Sequence, residues 1–310
     1  MRNQSQEESL MLPIKATCID EITHDIPSQN WGEKEWEADF KAMKAAGIDT
    51  VVIIRAGYKD KVIFPSKALK LHADFDLAEL FLSLADRYAM KLYFGTYDSG
   101  KYWSGNAHAK ELELVLPFVD EVVERYGRHE SFHGWYMSNE VGKREFDIEK
   151  IYQPLSAKLR KVSPNKPILI SPFIWGRRLV EKFLPPKEYK AEWDELLKSI
   201  SGTFDILAVQ VAPAGMDEIG DYLRGFKEQS KKHKFELWAN VETFSSEIPV
   251  KGVFFPIDIR DLVRKLNIVS PYVSNIITFE FSHFMSPNSS NPSAGRLYER
   301  YLEQVLNVKR

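Results

Sequence analysis

Eight times along this chain a short run of β-branched or aromatic residues gives way to a longer stretch with a helical apolar face, and that alternation constrains the fold more than any other feature. The first run is IKATCID, residues 14–20. It is followed by WGEKEWEADFKAMKAAG, in which Trp36, Phe40 and Met43 share one face and Gly47 stops the helix. TVVIIRAG precedes DLAELFLSLADRYAM, and KLYFGTYD precedes KELELVLPFVDEVVERYG, where Pro117 bends the helix or marks its boundary. HGWYMSNE, KPILISPF, FDILAVQVA, FELWANVETF and SNIITFEFSHF continue the series, each trailed by a helical segment. Eight such units in 310 residues suit the ~250 residues of a TIM barrel. The expectation is an α/β fold, a single (β/α)8 TIM barrel in one domain over residues 1–310, with residues 1–12 a flexible N-terminal extension. A doubly wound open sheet competes. It is disfavoured because eight units close without leaving edges and because no G-x-G-x-x-G follows the first strand.

The charge balance, 42 Lys and Arg against 44 Asp and Glu, leaves no basic excess to draw the chain onto nucleic acid or anionic lipid. No run of ~18 apolar residues is present to span a membrane. The opening MRNQSQEESLMLP lacks the apolar core of a signal peptide, so the chain as given reads as cytoplasmic, or as periplasmic or secreted if a leader was removed. One cysteine, Cys18, supports neither a disulfide framework nor a thiolate metal cluster.

In a barrel of this kind the chemistry sits where strands end and βα loops begin. Those ends supply Asp20 and Glu21, Arg55, Tyr97 and Asp98, Asn139 and Glu140, Ser171, Gln210, Glu242, and Glu280 with His283. Carboxylates dominate the set. Two acids flanking one bond are the recurring device of glycoside hydrolysis: one donates a proton to the leaving oxygen, and the other attacks carbon or activates water. Glu140 on the fourth strand and Glu242 on the seventh are expected to face each other across the barrel mouth, the first as general acid/base and the second as nucleophile. Asn139 is placed to bind a sugar hydroxyl, and Arg55 to keep a neighbouring carboxylate ionised. Glu280 competes for the second carboxylate position, or binds substrate, or pairs with Arg55. Asp20, Asp98, Tyr97, Gln210 and His283 are candidate sugar contacts. Loop aromatics, Tyr58, Tyr102, Trp103, Phe173, Trp175 and Phe284, are candidates to stack on sugar rings, against the plainer reading that they anchor loops.

Rival chemistries find less support. There is no H-E-x-x-H, no cysteine pair, no lysine in the sixth strand for a Schiff base and no G-x-S-x-G elbow. The turns after strands seven and eight, SSEIPVKG and MSPNSSNPS, are not the glycine-rich turns of a phosphate-binding barrel. The expected partner is a carbohydrate, with no metal or organic cofactor. A carbohydrate-binding barrel without catalysis, and an isomerase or lyase in which Arg55 grips the carboxylate of a sugar acid, remain the alternatives.

Taken in order, MKAAGIDTVVI, GWYMSNE, LISPF, LWANVETF and FEFSHFMSP resemble a family of uncharacterised, largely bacterial domains grouped with the glycoside-hydrolase-like TIM barrels, from about Lys15 to Pro287. The resemblance implies the barrel and a carbohydrate-active role. More remotely, Asn139-Glu140 and Glu242 are similar to the acid/base and nucleophile positions of the clan of retaining glycosidases with catalytic acids on strands four and seven, and Arg55 to that clan's strand-two arginine. The chain departs from the pattern at Gln210, where the clan has an aromatic or His residue, at Glu280, where it has Trp, and at Val211, where the closer family has an acid.

Overall fold

Strands made of consecutive apolar residues must be covered on both faces, and here they are short and buried along most of their length. In the computed structural model, which describes residues 11–22, 26, 28–179, 183–246 and 253–308, eight of them form a closed parallel barrel. They are β1 (Ala16–Ile19), β2 (Thr50–Ile53), β3 (Lys91–Gly95), β4 (Phe132–Tyr136), β5 (Ile168–Ile170), β6 (Ile206–Gln210), β7 (Glu236–Asn240) and β8 (Asn275–Thr278). Each pairs with its neighbours in chain order. β1 closes the ring by pairing with β2 (Ala16 with Thr50) and with β8 (Ala16 with Ile277). Helices α1 (Glu33–Ala45), α2 (Leu77–Arg87), α3 (His108–Tyr126), α4 (Glu149–Val162), α5 (Pro186–Ile200), α6 (Ile219–His233) and α7 (Ile259–Val269) follow the strands in turn, and a short α8 (Phe281–Phe284) precedes α9 (Pro292–Gln304). The fold is the (β/α)8 TIM barrel.

The period of two along each strand sorts side chains into two apolar layers. Cys18, Val52, Tyr93, Tyr136, Ala208 and Trp238 fill the barrel interior. Their chain neighbours, among them Val51, Phe94, Trp135 and Leu237, pack outward against the helices. Trp135 and Tyr136 are adjacent in sequence yet belong to different layers: Trp135 packs edge-on against Phe132 at 4.9 Å, outside the barrel. Strands four and seven end earlier than their apolar runs suggest, at Tyr136 and Asn240. Ladder-like bonds nevertheless continue past both ends, from Met137 N to Leu169 O at 3.0 Å, Val241 N to Ile277 O at 2.8 Å and Thr243 N to Phe279 O at 3.0 Å. The alternation therefore carries on into the loops that bear Glu140 and Glu242.

Trp36, Phe40 and Met43 form the buried face of α1 as their spacing predicts, and Gly47 adopts φ +77° where the chain turns toward β2. Pro117 lies inside α3, which runs on through it. Leu12 N donates to Ser270 Oγ at 2.9 Å, and Met11 and Leu12 pack on the core, so these two residues belong to the barrel and not to the expected 1–12 extension. Residues 1–10, and 247–252 of the SSEIPVKG turn, lie outside the described residues.

Asp39 of α1 is fully buried and accepts the hydroxyls of Ser282, at 2.8 Å, and Ser286, tying the helix to the segment after β8. Burial pushes its carboxyl up to about 7, against the pull of the two serine hydroxyls. A carboxyl raised on folding contributes stability that is present below its ordinary value, 3.8, and is lost as the pH rises through about 7. The urea midpoint of the native protein is therefore expected to fall between about pH 5 and about pH 8, and Asp39→Asn, which keeps an acceptor for one serine, should flatten that slope.

Candidate active site

The interior alternation brings one set of strand-end side chains into a single cavity of about 390 Å³ at the C-terminal mouth of the barrel. Its polar lining is Asp20, Arg55, Tyr136, Glu140, Gln210, Asn240 and Glu242, with Ser246 and the exposed Arg178. That volume lies within the ~300–1,000 Å³ usual for small-molecule pockets. Phe244, Phe254 and Phe279, packed on one another, form an apolar part of the lining. The Phe244 and Phe254 rings lie 4.3 Å apart, Phe244 within and Phe254 just before a small antiparallel pair formed by Phe244–Ser245 and Phe255–Pro256, and Phe284 packs against Phe244 at 5.4 Å.

Glu140 is half-buried and held on both oxygens. The Tyr136 hydroxyl donates to Oε1 at 2.5 Å, and Gln210 Nε2 donates to Oε2 at 3.0 Å while also donating to Ser171 O at 2.8 Å. Burial, and then the charge of Glu140, push the Tyr136 hydroxyl well above its ordinary range, which keeps it a neutral donor. Arg55 Nε meets Asp98 Oδ2 at 3.3 Å. Burial works against the Arg55 charge, but Glu140, Asp98, Tyr136 and Asp20 outweigh it and raise its pKa, so the guanidinium stays charged.

Glu242 is 3% exposed. Burial pushes its carboxyl up, and the Lys265 ammonium of α7, 3.7 Å from Oε2, pulls it partly back. Burial likewise lowers Lys265, with Glu242 opposing. The cation beside Glu242 is thus Lys265 and not Arg55, which the sequence suggested for that place. Asn240 lies in the cavity wall, its Oδ1 buried and without a hydrogen-bond partner among the described residues. Cys18 forms part of the floor. Burial, followed by the charges of Glu140, Glu280, Asp20 and Glu242, pushes its thiol up and keeps it neutral.

Of the strand-end and loop residues picked from sequence, Asp20, Arg55, Glu140, Gln210 and Glu242 line this cavity, and the others do not. Asn139 falls on the opposite phase of the chain and is buried, its carbonyl accepting from Tyr152 at 2.6 Å. Glu280 caps α8: its oxygens accept from Ser282 N at 2.9 Å and His283 N at 2.6 Å, and His283 Nδ1 lies 2.6 Å from the same carboxylate. Neither Glu280 as second acid nor Glu280 as the Arg55 partner matches this arrangement. Asp98 instead holds Arg55, accepting also from Gly100 N at 2.7 Å and Trp103 Nε1 at 2.9 Å, so Asp98 and Trp103 brace the arginine rather than face a sugar. The Tyr97 hydroxyl donates to Lys59 O at 2.8 Å, and burial pushes it up to about 12. Trp175 lies under Lys143 Nζ at 4.3 Å and packs so tightly on the loop after Glu140 that a Cβ at Gly142 would sit 2.0 Å from its Nε1. These aromatics are loop anchors, the plainer of the two readings.

Tyr136, Asn240 and the phenylalanine wall escaped the sequence reading. Counting by twos from interior residues finds most of them: 18 and 20, 136 and 140, 208 and 210, 238, 240 and 242, and 277 and 279 share one phase. The same count excludes Asn139 and Glu280.

Closed barrel, strand-end acids and aromatic wall define a glycoside-hydrolase-like TIM barrel. Residues 14–291 match the family described as a domain of unknown function, DUF4434, and the chain belongs to that family. It is 36% identical to the crystal structure of a "putative alpha-L-fucosidase" from Bacteroides thetaiotaomicron VPI-5482, with a TM-score of 0.90 over 98% of this chain and 96% of that one. An endo-1,4-beta-D-mannanase from Thermotoga petrophila RKU-1 shares the fold at 11% identity, with a TM-score of 0.57 over 94% and 99% of the two chains. An intracellular xylanase from Thermoanaerobacterium saccharolyticum JW/SL-YS485 does so at 11% identity and a TM-score of 0.53, over 89% of each. No curated protein matches the chain.

Proposed function

We propose that the protein is a glycoside hydrolase that releases a sugar by a two-carboxylate mechanism, with Glu140 as general acid/base and Glu242 as nucleophile. The observation that carries this reading is that two carboxylates from opposite sides of the barrel, after β4 and β7, line one small cavity. The roles follow from position. An acid/base must hand a proton to the leaving group and take one from water, which suits the more exposed Glu140. A nucleophile meets only the anomeric carbon, which suits the buried Glu242. The phenylalanine wall would cover an apolar face of the ring.

That wall suits a sugar carrying a methyl where most hexoses carry a hydroxymethyl, and the name of the 36% identical relative points to the same kind of sugar. Aryl α-L-fucosides are therefore the first substrates to test, within a panel of aryl glycosides. Release of the aryl group is expected with the α-fucoside, and proton NMR of the first-formed sugar should show retained configuration, the outcome of attack by a carboxylate nucleophile. Inversion would make Glu242 a base, and inertness toward the whole panel would favour a sugar-binding barrel.

A further inference from the structure

Four buried residues of α7, Leu262, Lys265, Leu266 and Val269, follow the spacing of a core-facing stripe. Three are aliphatic, and the place of the fourth is taken by a lysine that is 2% exposed. An ammonium in such a position loses most of its hydration and needs a partner in compensation. Its partner is Glu242 Oε2 at 3.7 Å, a carboxylate reached from a helix on the outside of the barrel. The arginine that might have served Glu242 is committed elsewhere, to Asp98.

We propose that Lys265 is a positioning residue of the catalytic centre, holding the Glu242 carboxylate ionised and fixed for attack from behind the cavity wall. This rests on the hydrolase reading above. Burial alone favours a neutral carboxylic acid, which does not attack carbon; the ammonium 3.7 Å away opposes that shift and draws the carboxyl back toward the anion. In the first step a Glu242 oxygen bonds to the anomeric carbon as the glycosidic C–O bond breaks and the leaving oxygen takes the proton of Glu140. In the second, water gives a proton to Glu140 and its oxygen to the anomeric carbon, and Glu242 departs as a carboxylate toward the waiting Lys265. The groups that set this balance are Lys265 and Asp261 on α7, and Arg178 after β5. Cys18, Asp20, Glu140 and Glu280 share the surrounding field.

The test is titration of the Glu242 carboxyl by carbon-13 NMR of glutamate-labelled full-length protein, the signal assigned by its loss in Glu242→Gln. In Lys265→Met the carboxyl is expected to titrate at higher pH than in the native protein, and Lys265→Arg should bring it back. On whichever glycoside the native enzyme cleaves, the acid limb of kcat/KM should move up with it. The kcat at about pH 6 should fall roughly 10-fold or more, while KM stays within about two-fold. An unmoved titration and acid limb in a folded Lys265→Met protein would overturn the assignment, since a merely structural lysine would shift neither. Should that variant not fold, the reciprocal reading is taken on Glu242→Gln, where nitrogen-15 NMR of lysine should show Lys265 losing its proton at lower pH; no change there also overturns it. Inertness of the native enzyme on every glycoside rejects the hydrolase reading, and the NMR titrations still decide the pairing.

Discussion

Replacing Glu140 with Gln should slow the cleavage of a glycoside with a poor leaving group by about 10²–10⁴-fold, the usual worth of a general acid, while substrate binding changes little. The amide is isosteric with the carboxyl. Its oxygen can still accept from Gln210 and its nitrogen can donate to the Tyr136 oxygen, so the two contacts that fix residue 140 are kept. Only the proton is lost. The loss should therefore depend on the leaving group: a 2,4-dinitrophenyl glycoside, which departs without protonation, should retain much of its first-step rate. Comparing kcat/KM for that substrate and for a plain alkyl or sugar aglycone gives the readout. Equal losses on both, or full activity on either poor leaving group, would remove Glu140 from the acid role.

The paired substitution Glu242→Gln with Lys265→Met should abolish turnover and yet leave the protein as stable as the native chain, or about 1–4 kcal/mol more stable. Glu242 and Lys265 are both nearly fully buried, and each is shifted by burial toward its neutral form. A carboxyl raised on folding gives stability only below its ordinary value and loses it as the pH rises through the raised one. A lowered lysine costs stability over the range where the unfolded chain is protonated and the folded one is not. At neutral pH both terms count against the pair, and matched neutral side chains remove them. The single change Glu242→Gln instead strands the lysine and should cost up to about 3–5 kcal/mol, less whatever Lys265 recovers by shedding its proton. Urea denaturation at about pH 7 decides the matter. A double variant clearly weaker than the native chain would mean that the pair serves stability first.

A stable protein gains nothing by keeping an ammonium in an aliphatic stripe, so the cost itself points to use. The same logic separates the two candidate acids of the seventh and eighth strands. Glu280 is as buried as Glu242, but Ser282 N, His283 N and the His283 ring satisfy it locally. Glu242 has backbone hydrogen bonds as well, but its Oε2 has none among the described residues and its ion pair comes from a distant helix.

The barrel was legible because its signal is local and repeats. Backbone geometry imposes a period of two on a strand and 3.6 on a helix, and an apolar residue out of phase would face water. Glu140 and Glu242 stand out for a related reason, as acids placed just beyond apolar runs, and in the structure both fall on the interior phase. Asn139 was misjudged where type and neighbourhood were weighed without that phase, since an amide beside a candidate acid is attractive chemistry but faces the wrong way. What the tertiary structure alone decided is who meets whom. Arg55 finds Asp98, 43 residues on, and not Glu280; Lys265 crosses from the outer helices to Glu242; Phe244 and Phe254 stack to build the wall that the loop aromatics were expected to supply. Such pairings depend on loop paths and on the desolvation of particular charges, and neither leaves a periodic trace along the chain.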